Sequence, residues 1–163
     1  MSDTAQIDQT PLSWDDFRWC GTLDVPLMGH ASNPDVELGV NTKDEEQIEP
    51  CVEQVAAWRR FVESDDRIFR AILEAGFSYY TRMRPQYAMA GAEWIKNMPE
   101  ITDPESLSPM IRLSSLTVTW PYDGNPVQVG VSFACDWDSE HGFGVVVEGD
   151  KVVDVGSADC AIL

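Results

Sequence analysis

The chain has 163 residues, 44% of them apolar, and carries 28 acidic against 11 basic residues, a formal net charge of −17. This length and apolar content suffice for one domain with its own core and exclude a disordered chain. The negative charge disfavours nucleic-acid binding, which depends on Lys and Arg contacts to phosphate. It would accelerate association with a basic protein, and the alternative is that it serves solubility alone. The sequence has no signal-peptide pattern and no membrane-spanning run, so a cytoplasmic protein is expected.

The four cysteines predict neither a metal site nor a disulfide framework. Cys20, Cys51, Cys135 and Cys160 include no C-x-x-C pair, and their spacings do not match those of zinc sites. Three of them fall in apolar, strand-like runs, where a free thiol behaves as a small apolar side chain. No cofactor is therefore predicted.

The amino-terminal third predicts a loose segment followed by a β-hairpin. Residues 1–11 are polar and are expected to precede a single domain over residues 12–163. Aromatic and β-branched residues predict a strand over 17–25, and alternation predicts a second over 36–40, joined by a turn at 29–34.

Two helices are expected next. Apolar residues at helical spacing predict a first helix over residues 50–63. Ser64, followed by two aspartates, is typical of a helix start, and a wide apolar face predicts a second helix that ends at Arg84, before Pro85. We expect these helices to form a hairpin on one face of a sheet. A further short helix fits residues 87–97.

The carboxy-terminal third has the clearest β pattern. Apolar side chains occupy every second position from Val127 to Trp137, with small or polar residues between them. Such alternation predicts a strand with one buried face. Because strands and helices are segregated along the chain, we expect an α+β domain with an antiparallel sheet. The predicted strands of this third are 111–120, 127–137, 143–148, 151–156 and a short one at 160–163.

A cluster of functional side chains follows the longest of these strands. On an extended strand, the carboxylates of Asp136, Asp138 and Glu140 would share one face and could bind a divalent cation; the alternative is a solvated or partner-facing acidic edge. An EF-hand loop that began at Asp136 would need a glycine at its sixth position and an acid at its twelfth. These positions are His141 and Val147, so an EF-hand loop is excluded. His141 beside carboxylates suggests acid–base chemistry, and the alternative is that it fixes the turn. The candidate binding residues are Asp136, Asp138, Glu140, His141, Gly142 and Gly144.

The same region resembles a bacterial family of unknown function. Residues 135–144 (CDWDSEHGFG) and 152–159 (VVDVGSAD) are similar to the family's ending, CDWDEEHGLG…VVEVGxxDIAF. Similarity extends to residues 53–63 and to the segment 104–113. Phe143 replaces a common leucine. The resemblance implies a small accessory protein, since some members are candidate immunity proteins of polymorphic toxin systems, and it assigns no catalytic residue.

Two functions are therefore predicted. The first is a non-enzymatic, acidic interaction protein or immunity-type inhibitor that binds a basic partner. The alternative is a small enzyme or divalent-metal protein that uses the Asp136–His141 cluster. The polar face of the sheet and the Asp136–Gly144 turn are expected to be accessible, and Trp14 or Trp94 are candidate anchors for a partner. The sequence leaves the oligomeric state open.

Overall fold

The eight strands of the protein form one sheet whose spatial order follows the chain. The computed structural model describes residues 2–23, 26–29 and 33–163. Neighbouring strands pair antiparallel except β4 and β5, which are parallel. The strands are β1 (Thr4–Ile7), β2 (Thr10–Trp14), β3 (Arg18–Leu23), β4 (Asn33–Asn41), β5 (Ile111–Val118), β6 (Gln128–Cys135), β7 (Phe143–Glu148) and β8 (Lys151–Gly156).

The helices occupy the connection between the two parallel strands. They are α1 (Val52–Glu63), α2 (Asp65–Ala90) and α3 (Ala92–Ile95). A parallel pair requires such a crossover, because the chain must return to the end of the sheet from which it started. The α+β class is confirmed, with this one parallel pair as the departure from an antiparallel sheet. The hairpin arrangement of α1 and α2 stays a prediction.

One face of the sheet and the helices enclose the core. All the alternating apolar positions from Val127 to Trp137 are buried, as predicted. In the register of β6 and β7, Phe133 lies beside Phe143, and helix residues such as Trp58 and Ile72 belong to the same cluster. Burying each of these large side chains contributes about 1.5–3 kcal/mol to folding. The alternating positions must therefore be apolar, and this requirement produces the clear strand pattern in the sequence.

The opposite face of the sheet is partly covered by the end of the chain. The predicted strand at 160–163 is wrong, because Ala158–Ala161 form a 3-10 turn instead. This turn lies against glycines of β6 and β7: a Cβ added to Gly130 would be 2.0 Å from the Ala161 carbonyl oxygen. The Ser132 hydroxyl points to the Ala158 carbonyl at 3.5 Å. Part of the polar face that was expected to be accessible is therefore covered.

Two further segments differ from the sequence prediction. Within residues 1–11, expected to be loose, the structure instead places β1, whose Ile7 is fully buried and whose register with β2 is antiparallel. Helix α2 also continues past Pro85 to Ala90. Proline removes one backbone donor, but Tyr80 and Tyr87 fix the helix on either side by bonds to Pro99 and Asp138.

Other elements follow the prediction only in part: β2 was not predicted, and the short helix expected over 87–97 is divided between the end of α2 and α3. The strands β3 and β4 pair as an antiparallel hairpin, and Gly149, with φ of 64°, makes the tight turn between β7 and β8. The predicted turn at 29–34 falls partly on residues 30–32, which lie outside the described residues. Among the helices of the described ranges, none is long and apolar enough to cross a bilayer.

Candidate functional site

The Asp136–Gly144 turn connects β6 to β7 at one end of the sheet. The strand β6 ends at Cys135, so the following residues are not on an extended strand. The Asp136 backbone N–H donates to the Met110 carbonyl, and the Gly142 N–H donates to the Asp138 carbonyl, at 3.0 and 2.9 Å. The turn is thus closed on itself and held to the segment before β5.

Asp138 is the centre of this turn. One carboxylate oxygen accepts the His141 backbone N–H at 2.9 Å, and the other accepts the Tyr87 hydroxyl at 3.0 Å. Its side chain is 19% exposed. Burial raises the pKa of this carboxyl, but the bonds from the His141 backbone, Tyr87 and the His141 ring outweigh burial and lower the pKa. Asp138 is therefore an ionised acceptor that joins the turn to α2.

His141 presents its ring to solvent while one nitrogen stays on Asp138. Its Nδ1 lies 3.1 Å from a carboxylate oxygen of Asp138, and its side chain is 59% exposed. The hydrogen bond and the charge of Asp138 raise the pKa of the imidazole. The His141 carbonyl accepts the Ala158 N–H at 3.0 Å, which ties the turn to the end of the chain. An oriented, exposed imidazole is able to exchange protons with a bound molecule.

The three carboxylates of the predicted cluster are separated. Asp136 forms an exposed ion pair with Arg112 at 2.7 Å, Asp138 turns inward, and Glu140 is exposed. The prediction that they share one strand face is wrong, because β6 ends before them. Within the described ranges, no group of three or more His, Cys, Asp or Glu residues is placed to hold a metal ion.

The two glycines of the motif are required by the backbone. Gly142 has φ of 66°, and a Cβ there would lie 2.6 Å from the Phe133 carbonyl oxygen. A Cβ on Gly144 would lie 2.8 Å from the Ser157 carbonyl oxygen. Both positions need glycine for close approach of two backbones, and Gly142 also for its left-handed conformation.

Exposed aromatic surface adjoins this turn. Trp94 is 60% exposed and packs edge-on against Tyr87, with ring centroids 6.5 Å apart. Met89, near the end of α2, is 88% exposed. The other candidate anchor, Trp14, is less exposed and packs against Trp19, with ring centroids 5.2 Å apart. Of the two tryptophans singled out in the sequence, Trp94 is the one on the surface.

A second candidate region lies at the opposite end of the sheet. The segment after β4 meets the loop between β5 and β6 through Tyr122, whose hydroxyl donates to the Thr42 carbonyl and accepts the Asp44 N–H at 2.8 Å. A pocket of about 430 Å³ opens there. Its lining residues include Phe17, Arg18, Thr42, Asp44, Glu45 and Tyr122.

This pocket has features that sequence patterns did not show. Thr42 is 5% exposed, and its hydroxyl has no hydrogen-bond partner among the described residues. Asp44 and Glu45 have positive φ, at 52° and 59°, and Asp123 has 51°. Non-glycine residues seldom adopt this conformation. The sequence offers an acidic run at residues 44–46 here, but it does not reveal the pocket, because the pocket unites segments about eighty residues apart in the chain.

Comparison with known proteins identifies the family of the chain. Neither a search of curated proteins nor a search of solved structures returned a match. The family model of a domain of unknown function, DUF6985, matches residues 8–163, which include the turn, the pocket and all strands but the first. The chain therefore belongs to the DUF6985 family.

Proposed function

We propose that this protein is a non-enzymatic, acidic interaction protein that binds a basic partner, as an immunity-type inhibitor binds a basic toxin domain. One observation carries the proposal: the negative charge is segregated. Residues 52–96, which contain the helices, have seven basic and six acidic residues, formally +1. The rest of the chain, which contains the sheet, has four basic and 22 acidic residues, formally −18.

This segregation gives the molecule one nearly neutral and one strongly negative part. General surface charge for solubility would be expected on helices and strands alike, because both expose side chains to water. Negative charge confined to one part of the chain instead accelerates encounter with a basic protein and directs it toward that part. Exposed aromatic side chains at the two ends of the sheet, such as Trp94 and Phe17, would then slow dissociation.

A partner search with a salt control tests the proposal. The immobilised protein is incubated with lysate of its source organism at low salt, and bound proteins are eluted with salt and identified. We expect a stoichiometric basic protein whose association rate falls steeply with ionic strength, because screening shortens the range of the attraction. A partner whose association rate is independent of salt would contradict the proposal.

The immunity-type version makes a further demand. The captured basic protein, expressed alone, should arrest growth of its host, and co-expression of this chain should restore growth. A partner that is harmless when expressed alone would leave an interaction protein of another kind, such as a regulatory subunit.

A second candidate, acid–base or metal chemistry at the turn, rests on the oriented imidazole of His141. Asp138 holds this ring at 3.1 Å and leaves the rest of it exposed. Thermal unfolding with and without calcium, magnesium, manganese and zinc tests the metal version, since an ion that binds the folded state raises the midpoint. The shift should disappear in His141→Ala if this turn is the site.

A further inference from the structure

We infer that the pocket lined by Tyr122, Asp44 and Glu45 receives an arginine or lysine side chain of the basic partner. This inference rests on the proposed function and places its contact at the end of the sheet opposite the Asp136–Gly144 turn. The occupant is chosen by the charge of the pocket, by its aromatic walls and by a buried hydroxyl that no described residue satisfies.

The charge of the pocket favours a cation. Asp44 and Glu45 line it, and both are exposed. Arg18 also lines it, but its guanidinium is already paired with Glu37 at 2.5 Å and lies 3.8 Å from Asp15. The remaining charge in the pocket is therefore negative. A neighbouring pocket, which shares Tyr122, adds Glu148 to the same surface.

The walls of the pocket suit a long basic side chain. Phe17 is 63% exposed and Tyr122 is 42% exposed, so two aromatic side chains stand at the solvent side of the pocket. Guanidinium and ammonium groups are attracted to aromatic faces, and their methylene stems pack on apolar atoms. Two exposed aromatic side chains and two carboxylates that line one pocket together make a site suited to a cation.

The buried hydroxyl of Thr42 supports a polar occupant. Thr42 lines the pocket, is 5% exposed and, within the described ranges, lacks a hydrogen-bond partner for its hydroxyl. Buried hydroxyls are nearly always bonded, so an unbonded one on a residue that lines the pocket favours an occupant with polar hydrogens. Guanidinium offers five N–H donors and ammonium three.

A small molecule that carries one positive charge tests whether the pocket binds a basic side chain. N-acetyl-L-arginine amide is titrated into the full chain and followed by amide chemical shifts. N-acetyl-L-citrulline amide, which has the same shape without the charge, is the control ligand. We expect saturable shifts at residues 42–45 and 122–124 with the arginine probe and none with citrulline.

Two variants locate the site. In Asp44→Asn with Glu45→Gln, the arginine probe should bind at least about threefold more weakly, since two attractive charges are removed. Asparagine tolerates the positive φ of Asp44, so the loop should keep its conformation. Glu105→Gln removes an exposed acid just before β5, at the other end of the sheet, and should leave probe affinity unchanged.

Each outcome separates the pocket from the proposed function. Shifts centred on the Asp136–Gly144 turn, equal affinity in the double variant, or no saturable shift would overturn the pocket. If the captured partner binds wild type in a salt-dependent way and binds the double variant equally well, the pocket is wrong and the function stands. If the probe occupies the pocket but no basic protein is captured, the function fails and the cation site stands.

Discussion

Asp138 shows how a residue that looks functional in sequence can be fully used by the fold. Its carboxylate accepts a backbone N–H of its own turn, the Tyr87 hydroxyl of α2 and a ring nitrogen of His141. Asparagine keeps one acceptor oxygen but replaces the other by a donor. We expect Asp138→Asn to lower the free energy of unfolding by about 1–3 kcal/mol, the cost of leaving such groups unpaired.

Urea unfolding measures this loss, with Asp136→Asn as the matched control. Asp136 is an exposed acid two residues away whose ion pair with Arg112 lies in solvent. Exposed pairs contribute about 0–1 kcal/mol, so the control should change little. Equal losses in the two variants would show that Asp138 is not the centre of the turn.

The Asp138–His141 pair also predicts how this loss depends on pH. The folded pKa of Asp138 lies below the ordinary 3.8, so its contribution is present above pH 3.8 and disappears as pH falls through the folded pKa. The folded pKa of His141 lies above the ordinary 6.5, so its contribution is full below pH 6.5 and disappears as pH rises through the folded pKa. The difference in unfolding free energy between wild type and Asp138→Asn should therefore be largest between these two values. A difference that is constant from pH 3 to pH 9 would contradict the pairing.

Thr42 gives the opposite prediction for stability. Its hydroxyl is buried with no partner in the part of the chain that the structure describes, which costs free energy in the folded state. Valine has nearly the same shape and no polar group. Thr42→Val should raise the free energy of unfolding by about 1 kcal/mol in urea titrations while it weakens binding of the arginine probe. Thr119→Val is the comparison, because the Thr119 hydroxyl accepts the Gln128 N–H at 2.8 Å and its removal should destabilise. A destabilised Thr42→Val would mean that the hydroxyl is satisfied.

At the scale of elements, the end of the chain acts as a cover for the small-residue face of the sheet. Gly130 makes the closest contact with this segment, since a Cβ at this position would lie 2.0 Å from the Ala161 carbonyl oxygen. Both contacting groups are backbone. Gly130→Ala should displace this segment and cost about 1–3 kcal/mol. Gly156→Ala is the control, since a Cβ there would meet only Cys160 atoms at 3.7 Å or more. Faster amide exchange across 158–161 in the first variant alone would confirm the contact, and equal exchange in both would contradict it.

Elements with a strong, local periodicity could be predicted from the sequence, and those built by distant contacts could not. The alternation of Val127 to Trp137 and the helical spacing before and after Ser64 both correspond to observed elements. The strand β1 has only four residues, too few for a clear pattern, and it is stabilised by pairing with β2. The 3-10 turn at 158–161 depends on glycines of other strands.

The candidate site divides in the same way. The Asp136–Gly144 turn was found because its residues are consecutive, yet their partners Tyr87, Arg112 and Ala158 come from elsewhere and determine what each residue does. The pocket lined by Tyr122 was missed because the loops that carry Asp44 and Tyr122 are distant in the sequence and meet only in the folded chain. No periodicity in a single sequence encodes such a meeting.

At the scale of the whole molecule, the segregated charge should lower stability. The part outside residues 52–96 carries −18 against +1 within them, so repulsion acts mainly among the acids of the sheet and its loops. Salt screens this repulsion, and the thermal midpoint should rise by roughly a few degrees between very low and moderate ionic strength.

Charge-neutral variants make that prediction specific. At low salt, Glu45→Gln with Glu46→Gln should raise the midpoint, because both acids belong to the strongly negative part. Glu63→Gln with Glu74→Gln, the matched pair in the helices, should not raise it, since the helical segment is close to neutral and already holds seven basic residues. Moderate salt should remove the gain of the first pair. A basic partner that binds near these acids would relieve their mutual repulsion. The effect of salt on the thermal midpoint therefore reports on the same charges that the proposed function uses. Equal effects of the two pairs would mean that charge position is irrelevant, and the segregation would then carry no functional argument.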